Sequence, residues 1–377
     1  MKKISILGAG LVGGPMAMDL HNDKQFEVAV YDLNRESLKG LKAKGVSCYE
    51  ADLADTATLL KCIQGADIVL SAVPGFMGFS TLRQVIEAKK DVIDIAFFPE
   101  NLFDLDELAK KHGVTAISDI GVAPGMSNIL SAHADSMLDK TDNIRIYVGG
   151  LPKTRSWPWE YKAVFSPIDV IEEYTRPARF VENGKLITKP ALTDPELLDF
   201  EKVGTLEAFN SDGLRSLIHT IDCPNMIEKT LRYPGHIEKI RVLKDSGFFG
   251  EDEVMINGHK IRPIDFTTRI LFPKWKLQEG EQDITIMKVI VEGSKDGKKA
   301  GFEYELYDEY EPVSQVHSMA RTTGYTATMA VRMLAEGLYQ RKGISAPEFV
   351  GKDRKCVDFI LQGLKERGIK YREKILS

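Results

Sequence analysis

The segment KISILGAGLVGGPMAMDLHN, residues 3–22, decides the fold of the first part of the chain. It has the pattern of a short apolar strand, a glycine turn and a helix, with Gly8, Gly10 and Gly13 at G-x-G-x-x-G spacing. The first glycine permits a tight turn, the second admits a pyrophosphate against the backbone, and the third lets helix and strand pack closely. The start of the helix then offers unpaired N–H groups to the phosphates. We therefore predict a dinucleotide site at this turn.

The second strand of this unit bears on the choice of cofactor. FEVAVYD ends in Asp32, about 20 residues after the glycine turn, as the dinucleotide fingerprint requires. A carboxylate there accepts hydrogen bonds from the adenosine ribose and repels a 2′-phosphate, which favours NAD over NADP. Arg35 follows three residues later. It either pairs with such a phosphate or is a solvated charge at the start of a helix.

Strands and helices continue to alternate up to residue 121. ADIVLSAVP (66–74), DVIDIAF (91–97) and GVTAISDIG (113–121) have the composition of buried strands. Such repetition predicts a parallel, doubly wound sheet, and ligands of these sheets bind at the carboxyl ends of the strands. The predicted cofactor-binding residues are Gly8, Gly10, Leu11, Val12, Gly13, Asp32, Arg35, Ala72, Val73, Pro74, Asp94 and Ala96.

After residue 130 the pattern changes to hairpins mixed with helices. ARFVENGKLITKP predicts a hairpin around Asn183-Gly184, and residues 283–311 predict a longer one around Asp296-Gly297. Residues 211–221 and 236–247 have helical spacing. Together these elements predict an α+β unit with a mixed or antiparallel sheet.

A long helix is predicted from about residue 319, in MARTTGYTATMAVRMLAEGLYQ, where small residues on one face permit close packing. We expect it to return to the nucleotide-binding part. The predicted fold class is therefore α/β, with a Rossmann-type parallel sheet formed by residues 1–122 and 320–377. It is interrupted by a substrate-binding and dimerisation domain over residues 123–319.

Composition narrows the classes of partner and compartment. The net charge of −5 gives no electrostatic reason to expect nucleic acid or an anionic membrane as a partner. The amino-terminal apolar run is too short for a signal peptide, and no run approaches the length of a membrane span. Four scattered cysteines without a C-x-x-C pair indicate reduced thiols in a cytoplasmic protein. Seven histidines without metal-ligand spacing predict no metal site.

Six segments occur in an order that resembles a known family: GAGLVG, SDIGVAPGMSNIL, VGGLP, YKAVFSPIDVI, TLRYPGHIEKIRVLKDSGFF and TTGYTATMAVRML. The chain resembles the saccharopine dehydrogenase family in its glutamate-forming, reductase-like branch, which includes carboxynorspermidine dehydrogenases and lysine 6-dehydrogenases. The resemblance implies a nicotinamide cofactor, a homodimer and hydride transfer at a C–N bond of an amino-acid-like substrate.

Within that family, two segments depart from the saccharopine reductases, and a third resembles the lysine 6-dehydrogenases more than the saccharopine reductases. Ala123 stands where the reductases have the aspartate of D-P-G, and NSDGLRS (210–216) departs from their N-R-D-S. The stretch WPWEYKAVFSPIDVIEEYTRPA (157–178) is the third. We therefore expect NAD-dependent deamination of the ε-amine of L-lysine to 2-aminoadipate 6-semialdehyde, with release of ammonia. The alternatives are a saccharopine or carboxynorspermidine reductase-type enzyme and a non-catalytic NAD-binding regulatory protein.

Oxidation of an amino acid's amine requires a cation for the α-carboxylate and a base for the reacting nitrogen. The candidates for binding the substrate are Arg232, whose family position lies near the substrate, with Arg215, His219 and Gly125. The candidates for catalysis are Asp119, Lys162 and Tyr161. All of these except Gly125 have a structural alternative. It is an ion pair for the arginines, a helix cap or a fixed turn for Asp119, a surface position for Lys162, and core packing for Tyr161 and His219.

Overall fold

The structure is a computed structural model that describes residues 1–163 and 167–376, and only the backbone of Pro167 and Ile168. Residues 164–166, which belong to the segment YKAVFSPIDVI, lie outside the described residues. Strands and helices are numbered in chain order.

The first sheet is parallel, as the alternation of strands and helices predicts. Its order is β17-β6-β5-β4-β1-β2-β3, so β1 and β4 are adjacent at the centre. Among the described residues it comprises β1 (Lys2–Leu7), β2 (Phe26–Asp32), β3 (Ser47–Glu50), β4 (Ile68–Ser71), β5 (Asp91–Asp94), β6 (Thr115–Ile117) and β17 (Gly343–Ser345).

Helices follow these strands, and local capping fixes where several of them begin. The side chain of Asn34 accepts from the N–H groups of Glu36 and Ser37 at the start of α2, and Asp55 caps α3 in the same way. The helices of the first 137 residues are α1 (Gly13–His21), α2 (Arg35–Ala43), α3 (Thr56–Ile63), α4 (Gly75–Glu87), a 3₁₀ turn (Leu102–Leu105), α5 (Asp106–His112) and α6 (Met126–Met137).

The second sheet is mixed, as predicted for the later residues. Its order is β10-β11-β12-β7-β15-β16-β18, with β8 paired to both β12 and β9, and β12 runs parallel to β7. In the described chain its strands are β7 (Lys140–Pro152), β8 (Ala178–Glu182), β9 (Lys185–Lys189), β10 (Glu196–Phe200), β11 (Gly204–Asn210), β12 (Asn225–Arg232), β15 (Asp283–Lys295), β16 (Lys298–Glu309) and β18 (Tyr371–Leu376).

Between β7 and β15, the described residues also form one small hairpin and four helices. The hairpin joins β13 (Val254–Ile256) and β14 (His259–Ile261). The helices are α7 (Pro167–Thr175), α8 (Leu217–Thr220), α9 (His236–Asp245) and α10 (Pro263–Trp275).

Both predicted hairpins are confirmed. Asn183 and Gly184 connect β8 to β9, and both have positive φ, as a type I′ turn requires. Asp296 and Gly297 connect β15 to β16 with the same backbone signs. The prediction of a helix over residues 211–221 is wrong for its first part, because only α8 is helical and Arg215 has a φ of 51°.

The chain returns to the first sheet after residue 317. Helix α11 (Ser318–Ala335) packs on α1 so closely that a Cβ at Gly324 would lie 2.8 Å from Met16 Cγ. Arg332 Nη1 donates to Asp19 Oδ2 at 2.8 Å across this contact. Strand β17 joins β6, and α12 (Pro347–Gly351) and α13 (Arg354–Glu366) follow it. The predicted range 320–377 also includes β18, which hydrogen-bonds to β16 in the second sheet.

Among the described residues, no helix combines the length and the apolar character that crossing a bilayer requires.

Candidate active site

A cavity of about 660 Å³ lies between the two sheets. One side is formed by the glycine turn and by the carboxyl ends of strands of the first sheet, at residues 8, 10–13, 32–33, 51–54, 72–77, 95–97, 119 and 121–124. The other side is formed by residues 148–150, 169, 172–173, 176, 211–213, 228, 230 and 232, together with Met319 and Thr323 of α11. The cavity therefore occupies the position where doubly wound sheets bind ligands.

Glycine is needed at the three positions of the turn for different structural reasons. Gly8 has a φ of +106°, and a Cβ there would lie 2.6 Å from the carbonyl oxygen of Ala72. A Cβ at Gly13 would lie 2.2 Å from the carbonyl oxygen of Gly8. A Cβ at Gly10 would meet no protein atom within 4 Å, because that position opens into the cavity. The open space at Gly10, in front of the start of α1, fits a pyrophosphate.

Asp32 lies at the end of β2 and holds the turn in place. Its Oδ2 accepts from the Ala9 N–H at 2.6 Å, and its Oδ1 accepts from the Asn34 N–H at 2.6 Å. The carboxylate lines the cavity beside the exposed Leu33. Arg35 points elsewhere, because its Nε donates to Glu50 Oε2 at 2.6 Å on the protein surface.

The other predicted cofactor residues divide into two groups. Leu11, Val12, Ala72, Val73, Pro74 and Ala96 line the cavity. Asp94 does not line it, because the side chain is fully buried beneath the strand ends. There its Oδ2 accepts from Ser118 Oγ at 2.9 Å, and burial raises the pKa of this carboxyl to about 7.

Asp119 and Arg215 form a buried ion pair. Arg215 Nε donates to Asp119 Oδ2 at 3.0 Å, and Arg215 Nη2 donates to Oδ1 at 3.1 Å. The third nitrogen, Nη1, donates to the carbonyl oxygen of Phe98 at 2.7 Å, and the guanidinium lies 4.7 Å from the centre of the Phe97 ring. Asp119 lines the cavity and Arg215 lies behind it. The arginine is therefore occupied in holding the carboxylate.

Arg232 lines the cavity from the end of β12, and all three of its side-chain nitrogens have protein partners. Nη2 donates to Glu173 Oε2 at 2.5 Å, Nε donates to the Tyr174 hydroxyl at 3.2 Å, and Nη1 donates to its neighbour's carbonyl oxygen at 2.9 Å. The guanidinium lies 4.4 Å from the centre of the Tyr161 ring. These partners hold the pKa of Arg232 above its usual value despite burial.

Arg176 also lines the cavity, one residue beyond the end of α7, and it retains an unused donor. Its Nη2 donates to Glu172 Oε2 at 3.2 Å, whereas its buried Nη1 has no hydrogen-bond partner among the described residues. The guanidinium stacks on Phe97, 4.6 Å from the ring centre, on a ring that Arg215 also contacts. A buried N–H without a partner is costly, so a ligand carboxylate here would satisfy it.

Glu228 lies in the same part of the cavity, on β12. Its Oε2 accepts from Ser211 Oγ at 2.7 Å, and its carboxyl is also hydrogen-bonded by the Gly213 backbone. Burial raises the pKa of this carboxyl to about 8, and the negative charges of Glu173 and Asp212 add to the shift. The hydrogen bonds from Ser211 and Gly213 act in the opposite direction.

Four other predicted site residues do not line the cavity. Lys162 Nζ lies 3.4 Å from Glu281 Oε2. Tyr161 is buried among aromatic rings, and its hydroxyl has no hydrogen-bond partner. His219 is exposed on α8. Gly125 has a φ of +133°, and a Cβ there would lie 2.0 Å from the Gly121 carbonyl oxygen, so it closes the turn before α6.

Sequence reasoning missed Glu228 and the charged residues of α7, although two periodicities point to them. Glu228, Thr230 and Arg232 alternate along one strand, so the side chains that share a face with Arg232 follow from the two-residue repeat. Asp169, Glu172 and Glu173 recur at helical spacing on one side of α7, and Arg176 continues that spacing one residue beyond its end.

Comparison with known proteins assigns the chain to a family. The model of the saccharopine dehydrogenase NADP binding domain matches residues 4–117, and that of the saccharopine dehydrogenase C-terminal domain matches residues 121–369. The chain belongs to the saccharopine dehydrogenase family. The predicted resemblance is thereby confirmed at the level of the family, and the chain is a pyridine nucleotide-dependent oxidoreductase of that family.

Three relatives illustrate the range of this saccharopine dehydrogenase family. The L-glutamate-forming, NADP(+) saccharopine dehydrogenase of Pyricularia oryzae is 24% identical, over 100% of this chain and 99% of its own length. The carboxyaminopropylagmatine dehydrogenase of Synechocystis is 24% identical, over 99% of this chain and 98% of its own. Apo saccharopine dehydrogenase from Saccharomyces cerevisiae has the same fold, with a TM-score of 0.82 at 21% identity over 100% of both chains.

Proposed function

We propose that this family member oxidises the ε-amine of L-lysine with NAD, giving 2-aminoadipate 6-semialdehyde and ammonia. The observation that carries the proposal is the excess of acidic side chains at the substrate end of the cavity. The acidic side chains there are Asp119, Asp169, Glu172, Glu173, Asp212 and Glu228. Among the described lining residues at this end, the arginines are Arg176 and Arg232.

The net charges of the two candidate substrates, lysine and saccharopine, differ in sign. L-Lysine carries two ammonium groups and one carboxylate, whereas saccharopine carries two protonated nitrogens and three carboxylates. Glu228 is mostly uncharged at neutral pH, because burial raises its pKa to about 8. Even without it, and even with Arg179 and Arg215, which bind Asp212 and Asp119 from behind, the named acidic groups outnumber the named arginines. Such a cavity attracts a substrate of net positive charge and repels one of net negative charge. This supports lysine over saccharopine.

The α-carboxylate of lysine requires one cation, and Arg176 lines the described cavity with a buried guanidinium nitrogen, Nη1, that pairs with no described residue. Arg176 Nη1 has no partner, so a substrate carboxylate there replaces a missing hydrogen bond. The nitrogens of Arg232 are already occupied by Glu173, Tyr174 and a backbone carbonyl. We therefore assign carboxylate binding to Arg176 and the support of Glu173 to Arg232.

The cofactor would bind along the glycine turn, with its adenosine ribose at Asp32 and its reactive ring toward Ala96 and Phe97. When bound, the nicotinamide supplies the acceptor for the hydride of the substrate's Cε. The carboxylate of Asp32, oriented by the N–H groups of Ala9 and Asn34, supports NAD over NADP. Arg35 pairs with Glu50 on the protein surface and does not line the cavity.

The second candidate is a reductase that joins an aldehyde to an amino compound, and the names of the relatives favour it. Ala123 argues against it. This residue lines the cavity with a methyl group, at the position where the resemblance gives the saccharopine reductases the aspartate of D-P-G. As the resemblance implies, we also propose that the protein acts as a homodimer.

The two functions are separated by an assay of the purified protein at 340 nm. With L-lysine and NAD, we expect NADH to form in amounts equal to the ammonia released, and NADP to give a lower rate. Saccharopine, ornithine and diamines complete the panel. A protein that consumes NAD(P)H only with an aldehyde and an amino compound, and is inert with lysine and either cofactor, would be the reductase.

A further inference from the structure

Glu228 is a carboxyl group of the cavity that pairs with no basic side chain among the described residues. Asp119 and Asp212 are each held by two nitrogens of an arginine, and Glu173 is held by Arg232. Glu228 instead accepts from a hydroxyl, Ser211 Oγ, and from backbone. Because its side chain is almost fully buried and lines the cavity, a substrate ammonium would be its natural counter-ion.

The fold shapes the space around this carboxyl. A Cβ at Gly213 would lie 2.2 Å from Glu228 Cδ, so only glycine leaves room for the group in its present position. Ser211 Oγ also contacts Thr230 Oγ1 at 2.7 Å, which fixes the hydroxyl that serves Glu228. The carboxyl is therefore held in one orientation by uncharged groups.

We propose that Glu228 binds the reacting ammonium group of the substrate and accepts its proton before oxidation. This deepens the proposed function and rests on an amine being the group that is oxidised. The carboxylate removes one proton from the ammonium, which leaves a neutral amine and a carboxylic acid. A hydride then leaves the adjacent carbon with its electron pair for the nicotinamide, and a C=N double bond forms. Addition of water and departure of ammonia give the aldehyde.

Burial, together with the charged groups that face it, makes Glu228 a proton acceptor suited to slightly alkaline pH. Glu173 from α7 and Asp212 from the 211–213 loop both raise its pKa, and each of these carboxylates is itself paired with an arginine, Arg232 and Arg179 respectively. A base is most effective when its pKa lies near the pH of the reaction. A substrate ammonium would lower the pKa of Glu228 on binding, because opposite charges stabilise each other.

The first test is the pH profile of kcat/KM for Glu228→Gln, measured with whichever amine of the panel is oxidised. In the wild type we expect kcat/KM to rise through about pH 8, the pKa of the free carboxyl. In Glu228→Gln the rising limb should move to the pKa of the substrate ammonium, about 10.4, with a loss of about 10²–10⁴-fold at pH 8. A variant that binds nucleotide normally and keeps the wild-type limb would overturn the proposal.

The second test does not depend on turnover. The amine is titrated calorimetrically at pH 7 into protein saturated with NADH, in two buffers of different ionisation enthalpy. The wild type should release close to one proton for each amine bound, because the carboxylic acid must ionise to pair with the ammonium. Glu228→Gln should release none. Equal proton release by the two proteins would contradict the proposal.

Asp308→Asn is the matched control, since Asp308 is also a buried carboxyl of the second sheet that accepts from a serine, Ser318 Oγ, at 2.7 Å. Asp308 does not line the cavity, so in Asp308→Asn the rising limb of the pH profile of kcat/KM should stay near pH 8. Inertness toward lysine with activity toward another amine would refute only the proposed substrate. Absence of binding by every amine of the panel would overturn both proposals.

Discussion

Arg215 binds both carboxylate oxygens of Asp119, at 3.0 and 3.1 Å, and both side chains are almost fully shielded from solvent. Each residue has a positive φ, 59° for Asp119 and 51° for Arg215, in segments that are 96 residues apart in sequence. The pair therefore joins the end of the last strand of the nucleotide half to the loop that carries Ser211 and Gly213. Two residues that sequence reasoning assigned to separate roles form one unit.

Substitution of either member of this pair should lower the stability of the fold. Asp119→Ala or Arg215→Ala leaves a buried charge uncompensated, so we expect a loss of about 3–5 kcal/mol in the free energy of unfolding. Asp119→Ala/Arg215→Ala should lose less than the sum of the single variants, because neither charge is then left alone. Urea unfolding measures the free energy of unfolding of the two single variants and the double variant. Lys260→Ala removes the exposed Lys260–Glu253 pair and should cost at most about 1 kcal/mol. Additive losses at Asp119 and Arg215 would show that the two are not coupled.

The glycines of the turn should separate folding from nucleotide binding. Gly10→Ala meets no protein atom, so the variant should fold with a wild-type melting temperature but lose nucleotide binding, since its methyl group occupies the space for the pyrophosphate. Gly13→Ala clashes with backbone and should lower the melting temperature. Gly40→Ala, in an exposed part of α2 with open space around it, should bind normally and gain up to about 1 kcal/mol. Normal binding by Gly10→Ala would place the pyrophosphate elsewhere.

The selectivity for NAD should depend on Asp32. We expect the wild type to bind NADH more tightly than NADPH, and Asp32→Ala to weaken NADH binding far more than NADPH binding. The reason is that the variant loses the acceptor for the ribose hydroxyls and the repulsion of a 2′-phosphate. Fluorescence titration of both reduced cofactors gives the ratio of the Kd values. A ratio that is unchanged in Asp32→Ala would show that this carboxylate does not select the cofactor.

The assignment of the substrate carboxylate to Arg176 predicts an effect confined to KM. Loss of a charge-assisted hydrogen bond costs about 1.5–3 kcal/mol, so Arg176→Ala should raise KM for L-lysine by about 10- to 100-fold. With 1,5-diaminopentane, which has no carboxylate, the same substitution should change KM little. Arg83→Ala removes a comparable arginine from the Phe79 ring outside the cavity and serves as the control. Equal effects on the two substrates would remove Arg176 from this role.

The buried carboxyl of Glu228 should also make stability depend on pH. Its folded pKa of about 8 lies above the unfolded value of about 4.3, so its contribution to stability is complete below pH 4.3 and is lost as pH rises toward 8. Relative to the wild type, Glu228→Gln should therefore gain melting temperature between pH 5 and pH 8. Asp55→Ala removes a carboxyl whose pKa is lowered by Thr58. The difference in melting temperature between this variant and the wild type should stay constant over this range. A constant difference for Glu228→Gln would contradict the shifted pKa.

The sequence by itself determined the parallel sheet, the glycine turn, Asp32 at the end of β2 and both hairpins. These follow from local rules, because the spacing of glycines, the alternation of strands and the Asn-Gly and Asp-Gly turns act over a few residues. The resemblance supplied the family in the same way, through short segments in a fixed order.

Only the tertiary structure decided which charged groups meet. Asp119 pairs with Arg215 and Arg232 pairs with Glu173, whereas no described cation pairs with Glu228. The partners in these pairs are remote in sequence, so the pairing is decided only when the chain folds. Burial then sets the pKa of a carboxyl such as Glu228, and burial depends on the packing of α7 and the 211–213 loop against β12. A sequence names the ionisable groups at a site, but their pairing and their desolvation are properties of the folded chain.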